Sequence, residues 1–167
     1  MTIVPGDVEF PNNVIALIAL RTKQLVDPDL FVVKRPLRTN DPSQTVGIFP
    51  SLKAPNESSL EVAGPTPTGP TINRYNVIVQ TVVKDTVEEN AISIHSILSN
   101  RLYRMLYRDY PLHQGLTALA VVADNSSRER MQRRGVQLQR YLSNEVQGSF
   151  IQTSWIEFWF DTETVGI

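Results

Sequence analysis

This 167-residue chain has two histidines and no cysteine, so thiolate metal sites and a cysteine nucleophile are excluded. His95 stands beside Ile94 in a helical pattern, with no carboxylate at a helical ligand spacing, so it reads as a packed or half-exposed helix residue rather than a ligand. His113 sits in a Pro-Leu-His-Gln-Gly turn and reads as solvated. No nucleophile elbow, phosphate loop or dinucleotide fingerprint is present. The Gly/Pro stretch from Gly64 to Gly69 lacks the lysine that a phosphate loop needs. Glu88 and Glu89 could pass for a catalytic pair, but the first turn of a helix favours carboxylates without any chemistry. Asp27 and Asp29 flank a proline and read as a turn. The expectation is a chain with no catalytic residues, no metal site and no cofactor.

Charge is the polar feature with weight. Between Arg101 and Arg140 stand eight arginines against Asp109, Asp124 and Glu129, while after Tyr141 there is no lysine or arginine, only Glu145, Glu157, Asp161 and Glu163. The overall net charge is −1, so bulk electrostatics do not favour polyanions. Arg128, Arg130, Arg133 and Arg134, with Arg140 close by, form the densest block. It has three readings: a solvated basic face, a surface that pairs with acidic groups of another subunit (Glu157, Asp161 and Glu163 are the candidates), or a contact with DNA. Arginine rather than lysine suits bidentate pairing with carboxylates. A second row, Arg101, Arg104 and Arg108, recurs at three- and four-residue steps with Tyr103, Tyr107 and Tyr110 beside it. Such a Tyr/Arg face is enriched at interfaces.

These residues need elements to position them. The stretch from Arg74 to Val122 reads as strand, long helix, strand. RYNVIVQTVVKD alternates as a half-buried strand does. Thr86 and Glu89 have capping-box spacing. Val87, Ala91, Ile94, Leu98, Leu102 and Met105 then form a helical stripe, flanked by Ile97 and Leu106. Pro111 and Gly115 end that helix, and GLTALAVV reads as the returning strand. Before this unit, residues 1–11 read as an extended arm broken by Pro5-Gly6 and Pro11. A helix follows over Val14–Val26, capped by Asn12 or Asn13. It is apolar nearly all round, so either the domain core or a neighbouring subunit must cover it. LFVVKR and QTVGIF read as an antiparallel hairpin. Ser51–Asn73, with four prolines, is either a tolerated loop or an assembly contact. After the unit, 127–133 reads as a short irregular or helical piece and Gly135–Leu142 as a strand. Asn144–Gly148 reads as a turn. SFIQTSWIEFWFD, rich in aromatic and β-branched residues and apolar on both faces, is the strongest strand, either central in the sheet or covered on its second face. Residues 162–167 read as a tail.

The fold class is therefore α+β: a mixed or antiparallel sheet with a long helix packed on one face and an N-terminal helix, in a single domain over residues 1–167. Within it lie the arm 1–11, the loop 51–73 and the Arg-rich arm and strand 124–148. The lack of cysteine suits a reducing compartment. No basic, apolar leader opens the chain, and its longest apolar run, Val14–Leu20, is far short of a membrane span.

Taken in order, these elements, and the phrases RYNVIVQTVVKD, LSNRLYRMLYRDYP and RGVQLQRYLSN…SFIQTSWIEFWFDT, resemble the tail terminator (tail completion) proteins of long-tailed bacteriophages. The resemblance spans nearly the whole chain and rests on element order and texture; the Pro-rich loop is an elaboration. It implies a virion protein of the tail and neck, assembled in the host cytoplasm as a homo-oligomeric ring, a hexamer. Such a ring caps the head-proximal end of the tail tube, stops its polymerisation and offers the head-docking face. The implied partners are the tail tube protein, a head-completion or connector protein, and DNA passing through the lumen without sequence-specific binding. The alternatives are another head–tail connector or a tail tube protein and, from a different class, a small DNA-binding protein using the Arg-rich arm.

Overall fold

The computed structural model of the chain describes residues 5–51, 71–122 and 127–166, with side chains over 12–51, 75–116 and 134–160. Its elements are α1 (Pro5–Leu25), β1 (Phe31–Val33), β2 (Thr45–Pro50), β3 (Thr71–Asp85), α2 (Glu88–Arg108), α3 (Tyr110–Val122), β4 (Ser127–Val146) and β5 (Ser149–Gly166). The strands form one five-stranded sheet in the order β1-β2-β3-β5-β4. The class is α+β with a mixed sheet, and the helices pack on one face.

The three most periodic stretches form as their patterns dictate. Val77, Val79 and Val83 of β3 and Ile156, Phe158 and Phe160 of β5 point into one core. Ala91, Leu98, Leu102, Met105 and Leu106 of α2 close it from above. β3 and β5 pair antiparallel from Thr71↔Thr164 to Asp85↔Phe150, which puts β5 between two strands as its two apolar faces require.

Elsewhere the structure departs from the expected elements. The 116–122 run is not a strand but the second half of α3. Asp109 explains why: its carboxylate accepts from the Leu112 amide (3.1 Å) and so starts a helix, with Pro111 in the first turn, where a missing N–H costs nothing. Gly115 does not break that helix. It lets α3 press against α1, because a Cβ at this position would lie 2.6 Å from Leu17 Cδ2. β1 and β2 pair in parallel, Phe31↔Thr45 to Val33↔Gly47, not as a hairpin. The intervening residues are long enough to cross over, which a tight turn would not allow. That crossover runs over the second sheet face. Leu37 N donates to Gln80 Oε1 (3.0 Å), Lys84 Nζ donates to the Thr39 and Asp41 carbonyls, and Arg35 O passes where a Cβ of Gly47 would lie, 2.6 Å away. An Arg35–Asp41 ion pair of 2.8 Å fastens it. The Arg35 guanidinium and the Arg38 amide hold the Asp41 carboxyl well below the usual carboxylate range.

The stretch expected as an N-terminal arm is helical from Pro5, which again serves as a helix start. Val14, Ile15, Ile18, Thr22 and Val26 are buried by the chain's own core, while Leu20 and Leu25 remain about half exposed. The Thr86–Glu89 capping box does not form. Val87 is the N-cap without a side-chain bond, and the Asp85 carboxylate takes the Val87 amide instead (2.8 Å). Residues 127–146 form one continuous strand. The turn into β5 is only Gln147-Gly148, both at positive φ (51° and 78°), the geometry that suits a two-residue hairpin. The tail expected after Thr162 continues β5 to Gly166. Most of the 51–73 loop lies outside the described residues; its last three, Thr71–Asn73, belong to β3.

Candidate functional site

His95 is buried between α2 and the sheet. Its Nε2 bonds Ser154 Oγ at 2.9 Å, Ser99 Oγ lies 3.3 Å from the same nitrogen, and the Tyr141 ring stands 5.3 Å away. Burial pushes the imidazole pKa down. The same polar layer continues through Tyr141 Oη donating to Gln152 Oε1 and Gln152 Nε2 donating to Ser143 Oγ (2.7 Å). This network ties α2, β5 and β4 together, and among the described residues no carboxylate bonds the imidazole. His113 is not in a turn but in α3, half-buried, its amide donating to Asp109 O. Asp27 accepts from the Asp29 amide (2.9 Å), a turn as expected. Among the described residues no group of three or more His, Cys, Asp or Glu gathers in metal-binding fashion.

The arginines divide by what they touch. Arg134, on β4, donates to Tyr107 O at 2.8 Å and to Asp109 O at 3.4 and 3.5 Å. These carbonyls end α2, so the guanidinium acts as a C-terminal cap. Burial lowers its pKa, with Asp109 acting in the opposite direction. Arg140 is exposed and lies over the Trp155 ring at 5.3 Å. For Arg128, Arg130, Arg133, Asp161 and Glu163 the backbone alone is described, and it places Arg130 opposite Glu163 and Arg133 opposite Asp161 in the β4–β5 register. The basic and acidic blocks thus run alongside each other within one chain. Glu157 is buried on β5 between Ile78 and Gln137.

The row on α2 is different. Arg101, Arg104 and Arg108 are exposed along the flank beside α1. Arg101 Nη1 donates to Val26 O (3.1 Å). Arg104 and Arg108 have no ion-pair partner among the described residues. The three line an open hollow of about 300 Å³ whose apolar wall is Leu25 and Met105, with Asp109 at its end. On the opposite flank Tyr103 Oη donates to Val136 O (2.7 Å), and Tyr107 and Tyr110 are 54% and 66% exposed. On the edge strand β4, Leu138, Tyr141, Leu142 and Val146 are exposed as well.

The residue that sequence reasoning passed over is Asp109. Its two oxygens take Arg21 Nε (2.7 Å) and Nη2 (2.9 Å), and it also starts α3 and ends α2. The Asp-Tyr-Pro order is a helix-start signal that could have found it. No protein-family model matches this chain, and no curated protein matches it significantly.

Proposed function

We propose that the chain is a structural virion protein, a phage tail terminator that assembles as a homo-oligomeric ring on the head-proximal end of the tail tube. The observation that carries this reading is the kind of surface the fold presents. Large apolar and tyrosine side chains stand exposed on one α2 flank and on an edge strand, and on the other α2 flank Arg104 and Arg108 have no ion-pair partner among the described residues. Aromatic residues and arginine together are the composition of protein–protein contacts. The family resemblance supplies the particular assembly: a ring that stops tube growth and receives the head-completion protein.

Native mass and negative-stain images of the purified chain test it. A single ring is expected, which binds tube ends and blocks their elongation. A chain that remains monomeric at every concentration, or that polymerises alone into long tubes, overturns it.

A further inference from the structure

Helix α2 carries opposite charges at its two ends. Glu88 and Glu89 form its exposed first turn and have no ion-pair partner among the described residues. Ile92 beside them is 45% exposed. At the other end Arg104 and Arg108 border the hollow walled by Leu25, itself 49% exposed. At 1.5 Å rise per residue, Glu89 and Arg104 are roughly 22 Å apart along the axis. That exceeds a Debye length of about 8 Å at physiological salt, so the two groups cannot satisfy each other within one molecule. At about 100° per residue, Ile92 and Arg108 point roughly 160° apart around the helix. Helix-end electrostatics account for Glu88, Glu89 and Arg108, but not for Arg101 and Arg104 further in, nor for the apolar side chains that accompany each patch.

We infer that the hollow beside Arg104 and Arg108 receives the first turn of α2 from a second copy of this chain, Glu88 and Glu89 meeting the arginines and Ile92 meeting Leu25. The contact joins two different patches, so it is heterologous: repeated, it closes into a ring or runs on. It rests on the ring reading above and names the surface that builds the ring. Carboxylates presented from a helix turn match the guanidinium fork, and the apolar pair excludes water around them.

A charge exchange tests it. Glu88→Lys with Glu89→Lys, and separately Arg104→Glu with Arg108→Glu, are each expected to run at the 18.8 kDa monomer mass under conditions where the wild type is assembled. Mixed one to one, the two variants regain both complementary contacts and are expected to return to the wild-type mass, as is the chain carrying all four substitutions. An unfolded variant could not be rescued in this way. If either double variant keeps the wild-type assembly, or if both are monomeric and the mixture stays so, the contact is wrong while the ring reading stands. A wild-type chain that is monomeric throughout removes both.

Discussion

The Asp109 carboxylate meets α1 through Arg21 and α3 through the Leu112 amide, while the Asp109 carbonyl meets β4 through Arg134. An ion pair this enclosed, at 16% and 8% side-chain exposure, is costly to break because Arg21 would be left without its partner. Asp109→Ala is expected to destabilise the fold by about 3 kcal/mol, pair and helix start together, in urea unfolding. A change below about 1 kcal/mol would show that water replaces the carboxylate. His95 gives a pH dependence of definite sign. Its folded pKa lies below the ordinary value of 6.5, so the unfolded chain takes up the proton first. The stabilisation is complete above pH 6.5 and is lost as pH falls from there towards the folded pKa. The melting temperature is expected to decline between pH 7.5 and 5, and His95→Gln to flatten that decline. Equal slopes in the two proteins would rule out the buried imidazole as the cause.

Where side-chain period and burial agree, elements were legible: β3, α2 and β5 form where alternation or a helical stripe places them. The misses share a cause. Leu116–Val122 is a short apolar run with no period of its own, and such a run fits a buried strand or a buried helix equally. The deciding information was the Asp109 start signal upstream. Gly115 looked like punctuation because its use is tertiary, a close approach of α3 to Leu17 on α1. β1 and β2 looked like a hairpin because a parallel crossover depends on distant partners, here Gln80 and Lys84 on β3. The α1–α3 contact makes its own prediction. Gly115→Ile is expected to cost about 1–3 kcal/mol through overpacking. Leu17→Ala in the same chain should recover part of that, giving a non-additive double-mutant cycle. Strict additivity would show that the helices do not meet at this glycine.

For the whole molecule, the charge asymmetry was visible in the sequence but its arrangement was not. Arg128–Arg134 and Glu157–Glu163 suggested two surfaces of different subunits, and the β4–β5 register runs them side by side in one chain. Only the register, set by the Gln147-Gly148 turn and by two slips along β4, reveals this. Among the described residues Arg104 and Arg108 of α2 have no ion-pair partner, and it is there that we infer the contact between copies. The edges of the sheet carry a further consequence. One edge is β1, three residues long; the other is β4, twenty residues long with its outer side unpaired among the described residues. So long a bare edge is a template on which stray strands could stack into aggregates. The register slips between Met131 and Arg133 and again between Leu138 and Arg140. Each slip bends and twists the strand, so an incoming chain finds only short straight segments to copy. The longest described strand is thereby kept from recruiting partners indiscriminately, and any association falls to side chains that can choose.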